Sequence, residues 1–240
     1  MEKPFFGHCV NIEKTGEYDK NGIEQGGIIM ADPRTERNVR LGATLVKKLQ
    51  ARAFDAYYCA TKEEALQQAL ALIPKTDVIS WGGSASIAEI GLLDYVRKNF
   101  KCIDRDTAKT PEERMEIMRK GLLCDTFLMS TNAMTTEGEL VNIDGNGNRC
   151  AAMIYGPKQV IVIAGLNKVT GNLHSAIDRA HATAASINVQ RLGGKTPCAL
   201  TGVCAECNNA DTICNYIVVT RRSKPPKKIK VILVGEELGF

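Results

Sequence analysis

Apolar residues recur along the chain at two different spacings, and the alternation between them outlines an α/β protein. From Pro33 onward, Val39, Leu41, Leu45, Val46 and Leu49 return every three or four positions with Arg and Lys between them, the spacing of one helix face. Asp32 before Pro33 suits the start of that helix, because its carboxylate can cap free amides while proline occupies a position that needs none. Ala56 to Cys59 reads as a short strand, and Thr61 with Glu64 gives the capping-box spacing that opens a helix from Ala65 to Ile73. Val78 to Trp81 is the next strand, followed by Gly82-Gly83-Ser84-Ala85-Ser86 and a helix through Ile87, Ile90 and Leu93. Lys101 to Ile103 reads as strand, and Thr110, Pro111 and Glu113 open a helix over Met115 to Leu123. Thr126 to Ser130 is a further strand, and Gln159 to Ala164 has the β-branched run of one buried on both faces of a parallel sheet. Leu173 to Gln190 predicts a long helix, and residues 217–219 and 231–234 predict a closing strand pair. Such alternation of strands and helices predicts a three-layer α/β fold with a parallel or mixed sheet.

Polar side chains gather between two of these apolar segments. Ser130, Thr131, Asn132, Thr135 and Thr136 follow the strand at Thr126, and Glu139 to Ile143 alternates polar and apolar. Asp144-Gly145-Asn146-Gly147-Asn148 supplies residues that tolerate a tight reversal, so a hairpin is expected there. Lys168 falls just past the carboxyl end of the strand that ends at Ala164, the edge where open α/β sheets bind ligands. The same edge would receive Gly82, Gly83, Ser84 and Ser86, whose backbone amides at a helix start can hold an anion, or which form a close strand-to-helix turn. Neither a Walker pattern nor a dinucleotide fingerprint is present. The candidate ligand-binding set is completed by Thr131, Asn132, Asn142, Asp144, Asn146 and Asn148, for a small carboxylate or phosphorylated ligand.

The run STNAMTTEGELVNIDGNGNR followed by GPKQVIVIAGLNK resembles the lactate-utilisation (LUD) domain family, over roughly residues 35 to 238. The resemblance implies a fold similar to the sugar-phosphate isomerase and CoA-transferase superfamily, and an acidic residue at a place comparable to Glu89. It also implies ferredoxin-type partners in lactate oxidation. Glu89, Glu137 and Glu139 are the candidate catalytic carboxylates, with Lys168 as the candidate amine.

With 240 residues and 44% hydrophobic content, the chain can bury one α/β core, assigned to residues 30–240, with residues 1–29 as an N-terminal extension or partner-covering arm. A net charge of +4, from 31 basic and 27 acidic residues, argues against nucleic-acid binding. The dense basic run Arg221 to Lys230 carries two prolines and reads as a solvated loop. No apolar run of about 18 residues and no signal pattern occurs, so membrane insertion is not expected and a cytoplasmic location is.

Nine cysteines in that compartment read as thiols or metal ligands. Cys9, Cys59, Cys102, Cys124 and Cys150 are scattered and read as small core residues. Cys198, Cys204, Cys207 and Cys214 instead form a Cys-x5-Cys-x2-Cys-x6-Cys cluster with Gly202 to bend the chain, which points to a four-iron iron–sulfur cluster, a tetrahedral zinc, or redox-active thiols. His174 and His181 are seven apart, not at the interval of paired helical ligands. The expectation is a LUD-type iron–sulfur protein in hydroxy-acid oxidation or electron transfer, with a redox protein partner or a second copy of itself. The alternatives are a carboxylate-using transferase or isomerase, and a binding module whose thiols sense redox state.

Overall fold

The computed structural model describes residues 32–240, so the expected extension at residues 1–29, with His8 and Cys9, lies outside the described residues. Helix α1 (Pro33–Ala51) starts as its sequence predicts: the Asp32 carboxylate accepts from the Arg34 amide. Strand β1 (Asp55–Cys59) leads to α2 (Lys62–Leu72), where the Thr61 hydroxyl accepts from the Glu64 amide and the Glu64 carboxylate accepts from Ala60. The capping box is thus shifted by one residue on its return arm. After β2 (Val78–Trp81), the single helix expected through Leu93 is two, α3 (Ala85–Glu89) and α4 (Leu92–Asn99), broken at Gly91 with φ +74°. A left-handed backbone at that point favours glycine and cannot continue a helix.

Strand β3 (Lys101–Cys102) precedes α5 (Pro111–Gly121), whose first turn is capped by Thr110. Strands β4 (Thr126–Met129), β5 (Ala133–Thr135) and β6 (Leu140–Asp144) follow. The hairpin is here, between β5 and β6, and turns at 136–139 with Gly138 at φ +83°. The expected reversal at Asp144 to Asn148 is instead the entry to α6 (Asn148–Ile154). Its physical reason is the Asp144 carboxylate, which accepts from the amides of Gly147, Arg149 and Cys150 and so caps a helix rather than closing a two-residue turn.

Strand β7 (Gln159–Gly165) ends in a 3₁₀ turn at Leu166–Lys168, and β8 (Val169–Thr170) leads to α7 (Leu173–Arg179). The expected long helix is continuous in path but changes pitch: a π-helical segment, Ala180–Ala185, joins α7 to α8 (Ser186–Leu192). Helix α9 (Pro197–Thr201), β9 (Tyr216–Thr220) and β10 (Ile229–Val234) complete the chain.

Six strands, ordered β1-β10-β7-β4-β2-β3, form an all-parallel sheet, and β8-β5-β6-β9 form a second, mixed sheet. The expected closing pair is therefore not a pair. β10 enters the middle of the large sheet, between β1 and β7, while β9 runs antiparallel to β6 in the small one. The basic run between them is a mostly exposed loop.

The large sheet buries both faces by alternation. Val160, Val162, Val231 and Leu233 pack with Leu45 and Leu49 of α1 and Met153 of α6, whereas Ile161, Ile163, Ile232 and Val234 pack with Ala65 and Ala69 of α2, Ile87 of α3 and Val96 of α4. Each such fully buried aliphatic side chain contributes about 1.5–3 kcal/mol of transfer free energy, which makes this sheet the rigid platform of the molecule. Val141 and Ile143 of the small sheet pack on Ala176 of α7 and on Ala180. Cys59, Cys124 and Cys150 are buried in these cores and Cys102 is half-buried. Among the described residues, no helix is long and apolar enough to cross a membrane.

Candidate anion-binding site at the strand ends

Around β2 the sheet order reverses, with β3 on one side and β4 on the other, and the chain leaves β2, β4 and β7 at the same edge. The loops there surround a cavity of about 270 Å³. Gly83 and Ser84 follow β2, Ser130 to Asn132 follow β4, and Lys168 ends the 3₁₀ turn after β7. That turn carries the lysine back under the sheet edge, where it is only 3% exposed. Its Nζ lies 3.0 Å from Ser86 Oγ and 3.0 Å from Ser130 Oγ, and the two hydroxyls are 3.2 Å apart.

Burial pushes the Lys168 ammonium down to about 7, with the charges of Arg179 and Arg149 acting in the same direction and Glu89 against them. Among the described residues no carboxylate lies within ion-pair distance of it, which is unusual for a buried lysine.

Four arginines also line the cavity: Arg105, Arg114, Arg149 and Arg191. Arg105 sits on a 3₁₀ turn that is held by Asp104 and Asp106, both bonded to Arg97, which in turn stacks 5.1 Å from the Trp81 ring centre. Burial and the neighbouring Arg114 push the Arg105 guanidinium below its ordinary value, Asp106 opposes them, and Arg191 and Arg149 add to the downward push. The cations are therefore close enough to repel one another. Arg149 is fixed by Asn132, whose side-chain oxygen accepts from Arg149 Nη2 at 3.0 Å and from the Ile143 amide at 2.9 Å.

The structure brings together most of the residues singled out from the sequence. Gly83, Ser84, Ser86, Thr131, Asn132, Asp144, Asn146, Asn148 and Lys168 all line the cavity. Asp144 is the carboxylate side chain among the lining residues, and its oxygens are already engaged by the α6 amides. Gly82 lies behind the wall, where a Cβ would meet Arg149 Cδ at 2.9 Å. Asn142 is fully buried against Met153 and does not reach the cavity. The five-residue α3 spends a first-turn amide on its own cap, Ser84 Oγ accepting from Ile87, so the anion-holding features are side chains rather than a helix start.

The three candidate glutamates are elsewhere. Glu137 and Glu139 sit at the β5–β6 turn, paired with Lys48 and with Arg52 and Arg221 respectively. Glu89 is exposed and accepts from the Gly239 amide at 2.9 Å. That contact belongs to a segment, residues 236–240, that lies along the site: the Leu238 amide donates to Asn167 Oδ1 at 3.2 Å, and Phe240 lines the cavity. Gly239 has φ +60°, and a Cβ there would meet Ser86 Oγ at 2.6 Å.

The cysteine cluster adjoins the same cavity, since Thr212 and Ile213, just before Cys214, form part of its wall. Among the described residues no group of three or more His, Cys, Asp or Glu side chains is set at metal-holding geometry. The thiols of Cys198, Cys204, Cys207 and Cys214 are neighbours nonetheless. Burial pushes Cys214 up to about 11, charge on Cys204 adds to this, Thr212 opposes it, and charges on Cys198 and Cys207 add again. Those mutual effects put the four thiols in one neighbourhood. As a donor set they fit a thiolate-bound metal. His174 is exposed beside Asp178, and neither histidine joins this group.

The model of the LUD domain family matches residues 43–234. A search of curated proteins found no match. Among solved structures, a DUF162 family protein from Deinococcus radiodurans aligns over 82% of this chain and 98% of its own, at 12% identity and a TM-score of 0.48. Ribose 5 phosphate isomerase A from Neisseria gonorrhoeae aligns over 56% of this chain and 66% of its own, at 14% identity and a TM-score of 0.30. Neither likeness, at such identity and TM-score, speaks to activity.

Proposed function

The chain belongs to the LUD domain family, and from that premise we propose that it binds a small anion at the strand ends, in a role related to lactate utilisation. One observation carries the reading: Lys168 and four arginines face a cavity of about 270 Å³ whose one lining carboxylate side chain among the described residues, Asp144, is occupied by backbone amides. Bringing four guanidinium groups together beside a buried amine is costly unless an anion joins them. The volume suits a hydroxy acid or a small phosphorylated metabolite. Cys198, Cys204, Cys207 and Cys214 would hold a four-iron cluster or a zinc ion beside that cavity. When bound, the first supplies one-electron transfer and the second supplies structure. The residues of the chain hold and orient the anion: Arg149 is braced by Asn132, Arg105 by its acidic turn, and Lys168 by two serines.

The carboxylate-based alternative has less to stand on, because Glu89, Glu137 and Glu139 do not line the cavity. Thermal melting with sulfate, L-lactate and a neutral polyol tests the proposal. Saturation at about a hundredfold over Kd stabilises by about 2.7 kcal/mol, so both anions should raise Tm and the polyol should not. Arg191→Ala, whose side chain is otherwise bonded within its own helix to Asn188, should lower anion affinity roughly tenfold, the scale of one charge-assisted contact, without lowering the unliganded Tm. Equal shifts with the polyol, or an unchanged affinity in the variant, would contradict it.

A further inference from the structure

Anion binding uses positive charge, yet the most deeply buried part of the cavity holds a different arrangement: one amine between two hydroxyls. Lys168 Nζ is 3.0 Å from both serine oxygens, Ser86 is 1% exposed, Ser130 4%, and all three line the cavity. A lysine meant only as a counter-charge gains nothing from being enclosed by serines, since burial penalises its cation.

The hydrogen bonds also have an order. Ser130 Oγ donates to the Thr131 carbonyl at 3.3 Å, which leaves its lone pairs for a proton of Lys168. While the amine is charged it donates to Ser86, whose own proton goes to Ser130 Oγ at 3.2 Å or to the Leu238 carbonyl at 3.4 Å; once the amine is neutral, its lone pair can take that proton instead, across the same 3.0 Å. Burial above all, with Arg179 of α7 and Arg149 of α6 adding to it and Glu89 of α3 opposing, lowers the amine to about 7, so a large share of it is neutral near physiological pH. A neutral amine at hydrogen-bond distance from a serine is a base paired with a nucleophile.

We propose that Ser86 is a nucleophile, Lys168 its general base and Ser130 the positioning residue, for hydrolysis of an ester or thioester that carries an anionic group among the arginines. In the first step Ser86 Oγ forms a bond to the acyl carbon while its proton passes to Lys168 Nζ. The bond to the leaving alcohol or thiol breaks and that group takes the proton. Water then attacks the acyl-serine, gives its proton through Lys168 to Ser86 Oγ, and releases the acid. The balance needs only water as co-reactant. The anionic part of this substrate rests on the anion-binding reading above, but the nucleophile does not.

A small neutral alkyl fluorophosphonate separates the two. It transfers phosphorus to a reactive serine with loss of fluoride and carries no charge for the arginines to hold. Incubation of the full chain, followed by peptide mass spectrometry, should place the adduct on Ser86, with a rate that rises through about pH 7 and then levels as the amine loses its proton. Ser86→Ala should remove the adduct, and Lys168→Met should slow it at least about a hundredfold, the general-base range. Ser130→Ala should slow labelling and shift its pH midpoint, a change that mere loss of packing would not produce. Melting curves establish that each variant folds, and Ser86→Cys, labelled by a neutral alkylating agent with the same pH midpoint, covers a misfolded alanine variant. No adduct on the folded wild type, an adduct on Ser130 or elsewhere, or a rate indifferent to pH overturns the assignment. Sulfate should slow labelling. If it does not while Ser86 is still modified, the nucleophile stands and the anion site fails.

Discussion

Replacement of Lys168 by Met should flatten the dependence of stability on pH. The wild-type amine is displaced from 10.5 to about 7 by burial, and each pH unit of displacement is about 1.4 kcal/mol, so holding the charged form inside the fold costs at most roughly 5 kcal/mol. The sign follows from proton counting. Above about pH 7 the folded lysine is neutral while the unfolded one keeps its proton, so the unfolded chain binds more protons and stability rises with pH. Below about pH 7 both states are protonated and the slope vanishes. Between about pH 6 and 8.5 the wild type should therefore gain about 2 kcal/mol relative to Lys168→Met. The window stops there because burial pushes the thiols of Cys59, Cys124 and Cys150 up to about 11 or 12, and their ionisation in the unfolded chain adds an opposite slope at higher pH. Methionine fills similar volume and leaves Ser86 and Ser130 bonded to each other. Urea unfolding followed by the fluorescence of Trp81, the single tryptophan and 3% exposed, reads the difference directly. Parallel stability curves for the two proteins would refute the claim that a neutral amine sits at this position.

Two further outcomes follow from the cysteines and the platform. Purified anaerobically, the protein should carry either iron with matching sulfide or about one zinc per chain, and Ser at both Cys204 and Cys207 should remove it; unchanged metal content in that double variant would dissociate the cluster from these thiols. Ile161→Ala, at a fully buried site in the middle of the large sheet, should cost about 2–5 kcal/mol in urea unfolding, and a loss under about 1 kcal/mol would mean that the core collapses around the gap.

The layers of the fold were legible because their signals are local. Asp32, Thr61 and Thr110 cap their helices through neighbours two or three residues on, and the β-branched run at Val160 to Ile163 announces burial on both faces. Strand pairing was less so: residues 217–219 and 231–234 look alike in sequence, but their partners, β6 for one and β1 and β7 for the other, are set by packing far away along the chain. Asp144 misled for a different reason, since an Asp-Gly pair serves a hairpin and a helix cap equally well until the following amides find the carboxylate.

Lys168, Asn132 and the Gly83 loop were visible from their places after strands, where α/β folds gather ligands. The arginines were not. Arg105, Arg114, Arg149 and Arg191 lie on four separate elements among many other basic residues, and only the fold turns those four toward one space. Ser130 stood out only as one of a polar group, and nothing in sequence spacing says that it and Ser86, 44 residues apart, meet across one amine.

Calorimetric titration of sulfate or L-lactate at about pH 8, repeated in buffers of different ionisation heat, tests most directly whether an anion binds beside Lys168. Neither ligand titrates there itself, so any proton taken up belongs to the protein. The account predicts binding accompanied by uptake approaching one proton per anion, because a free sulfate or lactate reaches Lys168 and restores its cation, which an ester anchored at the arginines does not do, and loss of that uptake in Lys168→Met. Absence of binding, or binding whose heat is the same in every buffer, would contradict it.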